Sequence, residues 1–236
     1  MASESNSTWS AGVPPGLALI CEGASTGWRS RGYLPHVDGP NLVQHVVFRL
    51  ADSLPPELRK ELDRVRSGER VRAINAALDQ GYGRRDLANP AIAELVQTAL
   101  LTFDAERYVL IAWCVMPNHV HALLALRAVH RLDRIVHSWK SYTAKEANRL
   151  LRRSGPFWAR EYFDRFMRDA DHLARTAAYI EGNPVRAGLC ENIPDWRFSS
   201  AWSGWARRDA GNVTAIRSAG VSPACRPEAG GPSVGY

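Results

Sequence analysis

Two histidines one residue apart, His119 and His121, are the strongest candidates in this chain for a chemical role. Apolar runs flank them on both sides, at 108–115 and 122–126. Side chains i and i+2 of an extended strand point to the same face, so both imidazoles would project from one surface. Two neutral imidazoles side by side supply half of a divalent-metal site. The alternative for so short a motif is one hydrogen-bonded sheet histidine beside one solvated histidine.

A metal site that also binds substrate needs a third protein ligand and an open position. The segment 179–189 offers candidates, because Tyr179 and Asn183 are four residues apart and therefore neighbours on one helical face. Pro184 disfavours the helical conformation for the residue before it, which predicts that this helix ends at Asn183. The Asn183 amide oxygen would complete the ligand set, and the Tyr179 phenol would be left as a nucleophile. The alternative is a packing tyrosine followed by a helix cap.

Two other tyrosines compete with Tyr179 for the role of nucleophile. Tyr142 has basic neighbours, which suit a phosphate contact as well as a nucleophile. Tyr162 stands among aromatic residues, which favour a packing role.

The charge distribution points to an anionic partner. The formal net charge is +6, and the stretch from Arg127 to Arg186 holds 13 Lys/Arg against 7 Asp/Glu, which accounts for the whole excess. Basic residues clustered beside a candidate metal site are typical of nucleic-acid binding. Trp139 and Trp158 would either stack on unpaired bases or belong to the core. The candidates to follow a phosphate backbone are Arg131, Arg134, Lys140, Lys145, Arg149, Arg152 and Arg153.

Length and composition indicate one globular domain with appendages. The chain has 236 residues, of which 45% are hydrophobic and 23% charged. Composition predicts a disordered leader over residues 1–27, a folded domain over 28–205 and a low-complexity tail over 206–236. Four scattered cysteines are typical of reduced thiols and predict a cytoplasmic location. No run of about 18 apolar residues occurs, so no membrane partner is expected.

Hydrophobic periodicity and turn residues predict an α+β fold with helices packed on an antiparallel sheet. Strands are expected at 42–50, 108–115 and 120–126, the last two forming a hairpin at Pro117-Asn118. The segment 157–167 is aromatic and favours a strand. Helices are expected at 55–66, 69–78, 90–103 and 132–153, with a last one from 169–171 to 182–184.

These segments, taken together, resemble the REP-associated tyrosine transposases, a branch of the IS200-like single-tyrosine transposases. The resemblance runs from Arg29 to Ser200. The motifs that carry it are Met-Pro-Asn-His-Val-His at 116–121, Gly-Pro-Phe-Trp at 155–158 with Asp-Arg at 164–165, and the run Tyr179-Ile-Glu-Gly-Asn-Pro-Val-Arg-Ala-Gly-Leu189.

The resemblance implies a ferredoxin-like domain that acts on single-stranded DNA near hairpin-forming palindromic repeats, as a monomer or homodimer. By position, His119 and His121 would be the metal-binding pair, Asn183 the third ligand and Tyr179 the nucleophile. With Mg²⁺ or Mn²⁺ bound, Tyr179 would attack the scissile phosphate and form a 5′-phosphotyrosine intermediate. Two other functions stay open: a hairpin-binding regulator that no longer cuts, and a metal-dependent nuclease that uses water.

Overall fold

The computed structural model describes residues 27–30, 35–38, 42–62, 64–65, 67–127 and 129–204. The predicted tail, and all but the last residue of the predicted leader, lie outside these ranges. The strands are β1 (Gly27–Ser30), β2 (Pro35–Asp38), β3 (Val43–Arg49), β4 (Tyr108–Val115), β5 (His119–Leu126) and β6 (Phe163–Phe166). The helices are α1 (Pro56–Leu62), α2 (Ser67–Asp79), α3 (Pro90–Leu101), α4 (Leu132–Leu150) and α5 (Ala170–Arg186), with 3-10 turns at Asp86–Ala88 and Ile193–Asp195.

The main sheet has four antiparallel strands in the order β4-β5-β3-β6. Along the chain, β3-α3-β4-β5-α4-β6 repeats the β-α-β-β-α-β pattern of ferredoxin-like folds. The predicted α+β class with helices on an antiparallel sheet is therefore confirmed. The strands β1 and β2 form a separate antiparallel pair.

Helices cover both faces of the main sheet. Helices α3 and α4 pack on one face, where Phe48, Val120 and Leu124 belong to the larger core cluster. Helix α5 covers the other face through Leu173 and Ile180, which pack with Val43 and Leu123 of the sheet. We call the face under α5 the site face.

The alternation of strand side chains decides which face the histidines occupy. Val120, Ala122 and Leu124 belong to the cluster under α3 and α4, whereas Leu123 and Ala125 belong to the cluster under α5. His119 and His121 have the parity of Leu123, so they project from the site face. The strand–turn–strand prediction around Pro117-Asn118 is confirmed, and Met116 N–H donates to His119 O at 2.9 Å to close the turn.

The predicted end of the last helix at Asn183 is wrong. Helix α5 continues through Pro184 to Arg186, with Asn183 still helical. The reason lies five residues downstream, where Gly188 adopts φ 65° and closes the helix. Its N–H donates to Val185 O, and Leu189 N–H donates to Pro184 O, which together form a Schellman motif. The stop signal is the glycine, and the proline removes one hydrogen bond within the last turns.

Two further features surround the sheet. Helices α1 and α2 are inserted between β3 and α3, and α2 ends at Asp79. The segment after α5 returns to the free edge of β4 and covers part of it, where Val115 N–H donates to Phe198 O at 2.8 Å.

Among the described residues, no helix combines the length and the apolar character needed to cross a membrane.

Candidate active site

The two histidines of β5 converge through their Nε2 atoms. His119 Nε2 and His121 Nε2 are 2.9 Å apart, and both side chains are buried. Each ring is hydrogen-bonded at the opposite nitrogen: His119 Nδ1 to Asn118 Oδ1 at 2.6 Å, and His121 Nδ1 to His45 Nε2 at 3.0 Å. An amide oxygen only accepts, so His119 carries its proton on Nδ1 and presents the Nε2 lone pair. Such outer contacts orient histidine ligands in metal sites.

Asp79, the last residue of α2, is a member of the site that the sequence did not reveal. Its Oδ1 lies 3.5 Å from His119 Nε2, and its Oδ2 accepts a hydrogen bond from the Tyr179 hydroxyl at 3.3 Å. One carboxylate therefore bridges the histidine pair and the tyrosine. The side chains of Asp79, His119 and His121 each offer a ligand atom, and these atoms lie within 4.8 Å of one another.

Asn118 connects the inserted helix to the histidine strand. Its Nδ2 donates to Leu78 O and to Tyr82 O, each at 3.1 Å, while its Oδ1 faces His119. The side chain is 1% exposed, so all of its polar groups are satisfied within the protein. Asn118 thereby fixes the end of α2, and with it Asp79, relative to His119.

Tyr179 lies beside the histidines on the site face. Its ring centroid is 5.8 Å from that of His121 and 6.5 Å from that of His45. The rival Tyr142 is 54% exposed on α4, which packs on the opposite face, and Tyr162 is buried in the core under α3 and α4. Of the three tyrosines considered, Tyr179 alone stands next to the histidine pair.

Asn183 is buried one turn after Tyr179, but its amide oxygen already has a partner. Arg186 Nη2 donates to Asn183 Oδ1 at 2.7 Å and to Tyr179 O at 2.6 Å, and its guanidinium lies 4.3 Å from the Tyr179 ring centre. The Asn183 Nδ2 atom is buried and makes no hydrogen bond within the described residues. Its role as a metal ligand stays a prediction, with Asp79 as a competing third ligand.

Burial keeps His45 and His121 neutral and Tyr179 protonated near neutral pH. Burial, then the charges of His119, His45 and Arg186, hold the pKa of His121 well below its ordinary value, and burial with Arg165 lowers the pKa of His45 to about 3. Burial and the Asp79 carboxylate raise the pKa of Tyr179 to about 12, against the opposing charge of Arg186. Neutral imidazoles are the form that binds metals. The phenol must transfer its proton before it can attack a substrate.

The residues present fit a divalent cation. The ligand atoms of His119, His121 and Asp79 lie within 4.8 Å of one another, and Asp79 Oδ1 is a buried oxygen that accepts no hydrogen bond within the described residues. A buried carboxylate oxygen without a donor is costly unless a cation satisfies it. The carboxylate suits both Mg²⁺ and Mn²⁺, whereas imidazole nitrogens are more usual ligands of transition metals such as Mn²⁺.

The predicted backbone-tracking residues lie on α4 or next to its two ends, across the sheet from Tyr179. Four of them have intramolecular partners: Arg131 with Asp133, Arg149 with Glu146, Arg153 with Asp86, and Lys140 with the Ala159 and Arg160 carbonyls. Arg134, Lys145 and Arg152 are exposed. Trp139 and Trp158 are buried in the core, so they are not free to stack on bases. The DNA-binding role of the α4 residues stays a prediction.

We expect Asn118→Ala to weaken metal binding without removing a ligand. The change frees the His119 ring and removes the Asn118 side-chain donor from the Leu78 and Tyr82 carbonyls. It should lower Mn²⁺ affinity about 10- to 100-fold and the free energy of unfolding by about 1–3 kcal/mol. Calorimetric Mn²⁺ titration and urea unfolding measure the two effects. Asn148→Ala is the control, because the Asn148 side chain donates to the Gly155 carbonyl from α4, on the opposite face. Unchanged Mn²⁺ affinity in Asn118→Ala would show that Asn118 does not position His119.

Comparison with known proteins shows what this chain is similar to. Residues 83–183 match the family model described as IS200-like transposase. Over 100 residues the chain is 30% identical to a Haemophilus influenzae protein assigned to the REP-associated tyrosine transposases, a stretch that covers 38% of this chain and 57% of that protein. The fold resembles that of a REP-associated tyrosine transposase solved with a REP hairpin, with a TM-score of 0.50, 16% identity, and coverage of 76% of this chain and 85% of the other.

The match of residues 83–183 to this family model, together with the curated relative, confirms the resemblance to the REP-associated tyrosine transposases. The matched stretch contains the histidine pair, Tyr179 and Asn183. Asp79 and His45 lie before it.

Proposed function

We propose that the protein is a transposase that cuts and rejoins single-stranded DNA near hairpin-forming palindromic repeats, with Tyr179 as the nucleophile. The observation that carries the proposal is the contact of the Tyr179 hydroxyl with Asp79, whose other carboxylate oxygen faces His119. A nucleophile and a candidate metal site are therefore joined by one carboxylate. The family match supports a transposase, and a relative with the same fold was solved with a REP hairpin.

In the proposed reaction, the Tyr179 oxygen attacks the phosphorus of one phosphodiester and its proton passes to Asp79 Oδ2. The bond from phosphorus to the 3′ oxygen breaks and that oxygen takes a proton from solvent water, which leaves a 5′-phosphotyrosine and a free 3′-hydroxyl. Attack by another 3′-hydroxyl on the phosphotyrosine reverses these steps and rejoins strands without an external energy source. A bound Mg²⁺ or Mn²⁺, held by His119 and His121, would offset the charge that develops on the phosphate.

A labelled single-stranded hairpin substrate separates this function from its alternatives. The label is placed at the 3′ end of the DNA, on the fragment that would stay joined to Tyr179. After incubation with Mg²⁺ or Mn²⁺, the proposal predicts that this label migrates with the protein on a denaturing gel. A nuclease that uses water would release cut DNA with no label on the protein. A regulator that only binds would leave the DNA intact.

The identity of the third metal ligand gives a separate prediction. Asp79→Asn removes the charge that faces His119 and should weaken Mn²⁺ binding at least about tenfold, in the range typical of perturbed metal sites. Asn183→Ala should weaken it less than about threefold, because Arg186 holds the amide oxygen. Calorimetric titration of both variants, with thermal unfolding as a check of folding, compares the two. The reverse order of effects would make Asn183 the third ligand, as the sequence predicts.

A further inference from the structure

A cavity of about 630 Å³ opens beside the nucleophile, between α2 and α5. Its walls include Asn75 and Asp79 of α2, Thr176 and Tyr179 of α5, and Phe163 of β6. We call it the α2–α5 cavity. Its volume falls within the range of about 300–1,000 Å³ that is typical of sites for small ligands. Since Tyr179 and Asp79 form part of the wall, a molecule in this cavity would lie directly next to the phosphate that Tyr179 would attack.

The α2–α5 cavity is positively charged. Arg165 and Arg175 line it together with His45 and His172, and Asp79 is the one acid among its lining residues. Arg165 is the direct cross-strand partner of His45, so both side chains project from the site face. Arg175 is exposed, and no carboxylate pairs with it within the described residues. Burial and then the Arg165 guanidinium lower the pKa of His172.

The rest of the lining suits a nucleotide better than an isolated anion. The Phe163 ring gives an aromatic wall on which a base can stack. Asn75 and Thr176 add amide and hydroxyl groups that can bond to sugar or base. The basic residues of α4 lie on the other face of the sheet, so they cannot hold a strand segment that is seated against Tyr179. The charge needed at the site must therefore come from the α5 side.

We propose that the α2–α5 cavity binds one nucleotide of the single strand adjoining the scissile phosphate, with Arg165 and Arg175 holding its phosphate and Phe163 against its base. This inference rests on the proposed function, because it concerns the DNA that Tyr179 would attack. It assigns strand positioning to residues of β6 and to the first half of α5, outside the α4 set that the sequence predicts.

Binding of the full chain to a graded series of DNA hairpins tests the proposal. The hairpins are taken from the palindromic repeats nearest the gene and carry 5′ or 3′ single-stranded extensions that grow by one nucleotide. Fluorescence anisotropy in EDTA measures affinity without chemistry. We expect affinity to rise about tenfold when one particular nucleotide is added on one side. Arg175→Ala should abolish that step, leave the shorter hairpins unaffected, and reduce the slope of log affinity against log salt by about 1.

The control is Arg197→Ala, which removes an exposed arginine that pairs with Glu94 of α3 on the opposite face. The Arg197→Ala variant should retain the tenfold rise in DNA affinity when that nucleotide is added. The proposal is overturned if no extension gives a step, if Arg175→Ala weakens all hairpins equally, or if Arg197→Ala has the same effect. It is also overturned if free inorganic phosphate at millimolar concentration binds the protein through Arg175 while strand extension has no effect.

Adduct formation is measured separately with Mg²⁺ or Mn²⁺, so the two proposals can fail independently. A step in affinity that depends on Arg175, without any covalent adduct, would keep the cavity assignment and reject Tyr179 chemistry. A covalent adduct without such a step in affinity would keep Tyr179 as the nucleophile and reject the cavity assignment.

Discussion

Tyr179→Phe should abolish the covalent protein–DNA species and lower cleavage at least about 10³-fold, because no other group in the site can take the place of the phenol oxygen. The ring stays, so its packing against His121 and Arg186 is retained. Only the 3.3 Å hydrogen bond to Asp79 is lost, which should change the free energy of unfolding by no more than about 1 kcal/mol. A denaturing gel with labelled hairpin DNA measures the adduct and the cleaved product together.

Tyr142→Phe is the matched control, since it makes the same chemical change at an exposed tyrosine of α4. It should leave both adduct and cleavage unchanged. Cleavage that survives Tyr179→Phe but needs the metal would indicate a nuclease that uses water, with Tyr179 in a structural role.

His119→Ala should lower Mn²⁺ affinity at least about 100-fold and eliminate cleavage, because it removes one of three ligand atoms that converge within 4.8 Å. The expected loss exceeds that for Asn118→Ala, which only perturbs the orientation of the same ring. Calorimetric titration with Mn²⁺ measures the affinity, and a cleavage assay at saturating Mn²⁺ measures the chemistry.

His119 is 1% exposed, so its truncation also creates a cavity. His119→Gln, which fills more of the space, checks that loss of metal binding does not simply follow from unfolding. His137→Ala removes an exposed histidine of α4 and should bind Mn²⁺ like the unchanged protein. If His119→Ala keeps full Mn²⁺ affinity while folded, the histidine pair is not a metal site.

The sequence predicted those parts of the site that depend on local geometry. The i, i+2 spacing places His119 and His121 on one face of β5 whatever the rest of the fold, and the helical spacing puts Tyr179 and Asn183 one turn apart. The turn at Pro117-Asn118 and the strands around it followed from alternation and turn residues. These features need only a few neighbouring residues, so they can be predicted from the sequence.

The missed residues depend on long-range packing. His45 reaches His121 because β3 pairs with β5 in one particular register, and Asp79 reaches His119 because an inserted helix ends there. Neither register nor helix docking has a local signature. A lone histidine inside the apolar strand 43–49, and an acid just before Gly81-Tyr82-Gly83, were the available signals. The predicted end of α5 was wrong for a local reason. The prediction used Pro184 as the stop signal, whereas Gly188 ends the helix.

The basic residues show the same limit of prediction from the sequence. Counting charges along the chain correctly located the excess between Arg127 and Arg186, but α4 and α5 lie on opposite faces of the sheet. Arg165, Arg175 and Arg186 are on the face with Tyr179, whereas most of the predicted set is on α4. Charge along the chain therefore predicts an anionic partner, but it does not predict on which face of the sheet the arginines lie.

The most direct test of Tyr179 as the nucleophile is the chemical identity of the covalent link. The full chain is incubated with single-stranded hairpin DNA and Mn²⁺, digested with nuclease and protease, and the peptides are analysed by mass spectrometry. We predict a peptide that contains Tyr179 with a nucleotide attached through its 5′ phosphate. Cleaved DNA with no modified peptide, or a nucleotide attached to Tyr142 or Tyr162, would contradict the assignment.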